Sequence, residues 1–218
     1  MIPLLPTAEP DRPRRILCLG AHCDDIEIGC GGTLAHWIAG GTAIEIALVV
    51  LSSNEVRAAE TRKALGQLLA GAAALRIEVR DFRNGYFPWA GAEIKDYVET
   101  LKAWPAPDLI LAPWREDRHQ DHRAVSDLVW NTFRDHLILE YEIPKWDGDL
   151  GQPNVYVPLS AAAARLKVDT LLTCFPSQND KHWFTADTFN GLMRLRGVEC
   201  AAASGWAEAF HGRKLVLG

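Results

Sequence analysis

Residues 16–33, ILCLGAHCDDIEIGCGGT, decide how the rest of the chain is read. An apolar run (Ile16, Leu17, Leu19) ends in Gly20 and Ala21, and a dense polar cluster of His22, Asp24 and Asp25 follows at once. Gly29, Gly31 and Gly32 then lead into a new periodic segment. In an α/β protein the carboxyl end of a strand opens onto the crevice where ligands bind. A histidine and two carboxylates are costly to bury there without a metal or a charged partner. The stretch therefore reads as a metal-centred site at the tip of the first strand.

Working outward, the chain alternates between strand-like and helix-like segments. Strand one spans 16–21, and a helix is expected from 33 to 39, stopped by Gly40 and Gly41. Residues 44–51 form a β-branched run, and Ser52, Ser53 and Asn54 offer caps for a helix over 55–69. A short strand (75–79), an aromatic loop (81–91), a helix (92–103), a strand (109–112) and a helix (121–136) follow. This alternation implies βαβ units and a parallel sheet. After residue 137 the pattern loosens, with short strands at 139–143 and 155–157, helices at 161–173 and 185–202, and a last strand at 214–217. The expected fold is α/β, a Rossmann-like three-layer sandwich with a mostly parallel sheet and a C-terminal cap. It forms a single domain with an arm (1–14), a core (15–136) and a cap (137–218).

With 218 residues, 48% hydrophobic and 23% charged, one full core is affordable. The net charge of -5, with Lys and Arg scattered, argues against a nucleic-acid partner, which needs a basic footprint. No apolar run approaches the roughly 20 residues that cross a bilayer, and the proline-broken start is not a secretory signal. Five cysteines without a CxxC pair suit a reducing cytoplasm.

A second polar cluster, Asp117, His119, Asp121 and His122, lies between a strand ending in Pro113 and the next helix. Two adjacent carboxyl edges would bring His22, Asp25 and one or both late histidines together. Two imidazoles and a carboxylate with an open position suit catalytic zinc, and the same set suits ferrous iron. Of Asp24 and Asp25, one can bind while the other accepts a proton from the activated water. His119 and His122 are three apart, so one can ligate while the other meets substrate. Either motif alone is better explained by a helix cap or a surface ion pair; the pair together, each after an expected strand end, favours metal chemistry. The glycines do not form GxGxxG, and acidic groups stand where phosphate would sit. Arg57 is the candidate for a substrate hydroxyl or phosphate contact, with a helix-surface ion pair to Glu60 nearly as well supported. Trp89 and Trp114, in loops near the expected crevice, could stack on a substrate ring, though core packing explains either one alone better.

The motifs AHCDDIEIGCGGTL and RHQDHRAV resemble the hallmarks of the PIG-L/LmbE-type N-acetylglucosaminyl deacetylases, AHPDD followed by GxGGT, and HPDH. The resemblance extends through VRAAETRKALG (from Val56), FPSQ (from Phe175) and WAEAF (from Trp206). It implies zinc, or another divalent ion such as Fe2+, held by His22, Asp25 and His122. It also implies Asp24 as general base, His119 at the oxyanion or amine, and Asp121 orienting His119. Cys23 and Gln120 replace the family's prolines, and Cys23 offers a soft donor that bears on metal identity. The implied reaction is removal of an N-acetyl group from an N-acetylated amino sugar or its conjugate, a small-molecule partner. A non-heme iron oxygenase and a non-catalytic metal-dependent sugar-binding module are the competing readings. The oxygenase usually wants a β-barrel, and a structural zinc site would be closed with four ligands.

Overall fold

The computed structural model describes residues 12–216. Most of the expected arm (1–14) lies outside them; within them, Arg12 pairs with Asp108 at 2.6 Å. Seven strands form one sheet in the order β3-β2-β1-β4-β5-β7-β6. Strands β1 (Arg14–His22), β2 (Ile44–Ser52), β3 (Ala74–Val79), β4 (Leu109–Pro113) and β5 (Ile138–Tyr141) run parallel. Strands β6 (Val155–Pro158) and β7 (Ala207–Gly212) extend that sheet antiparallel. Three layers result because both faces of β1 are buried. Ile16 and Cys18 face the core under helices α1 (Asp25–Ala39), α2 (Glu55–Leu68), α5 (Ala161–Cys174) and α6 (Ala186–Glu199). Leu17, Leu19 and Ala21 face the core under α3 (Gly91–Thr100) and α4 (Gln120–Thr132). A strand buried on both sides reads as a continuous apolar run, as residues 16–21 do.

Three expectations shift. Helix α1 begins at Asp25, eight residues before the expected start, so the glycines lie inside it. The residues after 137 do more than cover the core, since β5, β6 and β7 belong to the sheet. The last strand is Ala207–Gly212, and the described part of 214–217 has no regular structure.

The glycines in α1 serve packing. A Cβ on Gly29 would stand 2.1 Å from the Tyr141 ring, which cannot retreat because its hydroxyl donates to the Leu19 carbonyl at 2.6 Å. Gly32 faces Glu208, whose carboxylate accepts the Gly32 and Thr33 amides at 3.0 and 2.6 Å and an ion pair from Lys167 at 2.5 Å. Gly29→Ala is expected to destabilise the fold by about 1–3 kcal/mol through overpacking; a chemical denaturation midpoint equal to wild type would contradict this close approach.

Candidate metal centre and active site

Strand order reverses between β1 and β4, so their carboxyl ends diverge and leave a crevice. His22 is the last residue of β1, and the loop leaving Pro113 carries Asp117 and His119 into α4. The crevice thus collects both sequence clusters, and all six predicted site residues from them lie at this edge.

Each histidine is gripped from behind. His22 Nε2 lies 3.1 Å from Asp121 Oδ2, and His122 Nδ1 lies 2.9 Å from Asp117 Oδ2. A carboxylate acceptor fixes the N–H on that nitrogen and turns the other nitrogen forward as a lone pair. The two forward nitrogens, His22 Nδ1 and His122 Nε2, face each other at 3.2 Å. Asp25 Oδ2 stands 3.7 Å from the first and 3.4 Å from the second. Two lone pairs and a carboxylate this close repel unless a cation lies among them. The three edges match those of donors about 2.0–2.2 Å from one ion, which is the zinc range for His and Asp. His22, Asp25 and His122 therefore fit a divalent ion by chemistry and by spacing.

The charges respond to the same crowding. Burial works against ionised Asp25, but His122 and His22 outweigh it and hold its carboxyl well below the usual range. Burial likewise opposes a charged His122, yet Asp25 and Asp117 push it up to about 10. Asp117 is fixed further by the His119 amide at 2.7 Å and the Lys145 ammonium at 2.9 Å.

His22, His119 and His122 also bring ring nitrogens within 4.8 Å of one another. His119 is the weaker third ligand, because its Nδ1 already accepts the Asp121 amide at 3.2 Å as the cap of α4. Burial and the two neighbouring imidazoles pull its pKa down to about 4, so the ring is neutral. A neutral ring accepting at Nδ1 carries its hydrogen on Nε2 and can only donate there.

The expected partnership of Asp121 with the His119 ring is not what the fold forms. The Asp121 carboxylate accepts from His22 and from the Gly85 and Phe87 amides at 2.6 and 3.1 Å. Those amides come from the aromatic loop, which docks on the start of α4. Asp24 stands at the start of α1 without a side-chain capping bond, at φ 94°, a positive-φ conformation that asparagine and aspartate tolerate better than most residues. Burial raises its carboxyl to about 6, against the pull of Arg57 and Lys181. Arg57 Nη2 lies 3.1 Å from Asp24 Oδ1 and also donates to the Cys23 carbonyl, so part of its guanidinium is committed. Cys23 is fully buried with its thiol 3.1 Å from Ser53 Oγ, and it belongs to the hydrophobic core.

A cavity of about 150 Å³ opens over these groups. Its floor is His22, Asp24, Asp25 and His122, and its walls include Arg57, His119, Asn84, Lys145 and Lys181. The tryptophans at its rim are Trp146 and Trp183. The two expected tryptophans lie elsewhere: Trp89 is 76% exposed, and Trp114 stacks on His211 at 4.2 Å. Trp146 and Lys145 follow the carboxyl end of β5, and the edge rule that located His22 and His119 would have located them too. Lys181 and Trp183 gave no sequence signal beyond their proximity to FPSQ.

Among the described residues no helix is long and apolar enough to cross a membrane. In overall structure the chain is similar to N,N'-diacetylchitobiose deacetylase from Pyrococcus horikoshii (TM-score 0.69, 19% identity, 92% of this chain and 84% of that one). It is equally similar to GalB, the 4-carboxy-2-hydroxymuconate hydratase from Pseudomonas putida KT2440 (TM-score 0.70, 15% identity, 94% and 98%). At such identities the likeness speaks for the fold alone. In sequence it is 31% identical over 150 residues to the uncharacterized deacetylase YaiS from Escherichia coli K12, covering 62% of this chain and 76% of that one. Residues 17–133, more than half of the 218, match PIG-L, the GlcNAc-PI de-N-acetylases. Motifs, crevice and match coincide on the same residues, and the chain belongs to the PIG-L family.

Proposed function

We propose that the protein is a zinc-dependent hydrolase that removes the acetyl group from an N-acetylated amino sugar or its conjugate. The observation that carries this reading is the triangle of His22 Nδ1, His122 Nε2 and Asp25 Oδ2, with edges of 3.2, 3.4 and 3.7 Å. A divalent ion bound there supplies Lewis acidity and a nucleophilic water at neutral pH. Asp24, buried beside Arg57, accepts the proton of the attacking water and returns it to the departing amine. His119 donates its Nε2 hydrogen to the carbonyl oxygen as negative charge develops there. Arg57 holds Asp24 in place and offers the contact to a sugar hydroxyl. The five unpaired thiols support a cytoplasmic location.

The parallel sheet disfavours the oxygenase reading, whose usual scaffold is a β-barrel. The test is a panel of N-acetylglucosamine derivatives incubated with zinc-loaded protein under nitrogen, reading free amine. Amine release that a chelator abolishes and zinc restores is expected. No amine from any member of the panel with metal-replete protein would overturn the proposal.

The carboxylates behind the histidines give a finer check. Asp117→Asn and Asp121→Asn should each weaken zinc binding by about 10- to 100-fold, as loss of such outer partners typically does. Competition against a chromogenic chelator measures it, and unchanged affinity would reject the ligand assignment.

A further inference from the structure

The cavity wall holds three flexible cations, and two are already matched. Arg57 pairs with Asp24 at 3.1 Å. Lys145 pairs with Asp117 at 2.9 Å and Asp149 at 2.7 Å. Lys181 has no carboxylate within ion-pair distance among the described residues, although it is near enough to Asp24 to pull on its carboxyl; its ammonium lies 5.4 Å from the Trp183 ring centroid and borders the cavity.

Its position is built. Ser177 is fastened to the buried Glu60 through its amide and hydroxyl, at 2.9 and 2.5 Å. From that anchor a short turn (Pro176–Gln178) leads to Lys181, whose amide donates to the Gln178 carbonyl at 3.0 Å. The Lys181 carbonyl in turn accepts the Phe184 amide at 2.9 Å. The next aromatic, Trp183, packs on Phe184 at 5.6 Å and on Trp146 at 6.3 Å. A lysine rooted this way loses little backbone freedom when it engages a ligand. Its neighbours at the rim are aromatic, and aromatic faces suit the apolar face of a sugar.

We propose that Lys181 is a specificity-determining residue that recognises an anionic substituent, carboxylate or phosphate, on the acylated sugar. This rests on the sugar-hydrolase reading above. Asp24 acts on the ammonium only from beyond ion-pair distance, so an anion on the sugar would give Lys181 the direct partner that the other two cations already have.

The experiment compares N-acetylglucosamine 1-phosphate and the carboxymethyl glycoside of N-acetylglucosamine with the neutral methyl glycoside. Zinc-loaded wild type, Lys181→Gln and Lys181→Arg are assayed for amine release, and binding of each compound is followed by calorimetry. Wild type should prefer the charged compounds. Lys181→Gln should reduce that preference about tenfold, mainly through KM, as loss of one charge-assisted hydrogen bond does. Lys181→Arg should keep most of the preference, and added salt should shrink it. The two charged arms separate a phosphate site from a carboxylate site. If all three compounds are hydrolysed and Lys181→Gln lowers them equally, the subsite is wrong and the hydrolase reading survives. If none is hydrolysed, but charged compounds bind more tightly through Lys181, the subsite stands and the hydrolase reading falls. Binding and turnover indifferent to charge would overturn the proposal.

Discussion

Asp24→Asn is expected to lower turnover by about two to four orders of magnitude, the usual contribution of a general base. The variant suits the question because asparagine tolerates the left-handed backbone at φ 94° as aspartate does. It keeps the shape of the side chain facing Arg57 while removing its negative charge, and with it the capacity to take a proton. The three proposed ligand atoms belong to other residues, so metal content by elemental analysis should stay at the wild-type level. A rate close to wild type would remove Asp24 from the mechanism. Loss of the metal would instead mean that Asp24 belongs to the ligand set.

His122→Ala should be more damaging still. The imidazole lies between Asp25 at 3.4 Å and Asp117 at 2.9 Å, both buried. Its removal takes away one ligand and leaves two buried carboxylates facing a void. Hydrolysis should fall below detection, and elemental analysis should find no stoichiometric zinc. Stranding a buried charge costs about 3 kcal/mol or more, so the melting temperature of metal-free protein should also fall. Zinc should raise the melting temperature of wild type by mass action and leave the variant unmoved. Stoichiometric zinc in the variant would exclude His122 as a ligand.

Much of this was legible because it follows from local rules. A run with both faces buried gives a parallel strand, and polar residues immediately after such a run mark the ligand edge. Those two rules place His22, Asp24 and Asp25 at one edge and His119, Asp121 and His122 at its neighbour. What was not legible depends on partners distant in sequence. Gly29, Gly31 and Gly32 look like helix breakers, yet α1 runs through them because Tyr141, Leu68 and Glu208 occupy the space that side chains would need. The last strand carries Glu208 and His211 among alanines, so its apolar signal is weaker than that of the irregular residues after it. Asp121 was expected to serve the nearest histidine in sequence. The loop that brings the Gly85 and Phe87 amides to its carboxylate turns it toward His22 instead.

Glu208 ties the middle of α1 to a strand 175 residues later in the chain, and Lys167 clasps both it and the Ile28 carbonyl. A chain emerging from the ribosome therefore exposes its first polar motif long before the residues that brace the helix after it have been made. On the proposed reading, zinc arriving early would meet a cradle whose first helix stays unbraced until β7 is made. Splitting the polypeptide upstream of that strand should yield two fragments, neither of which retains the metal by itself.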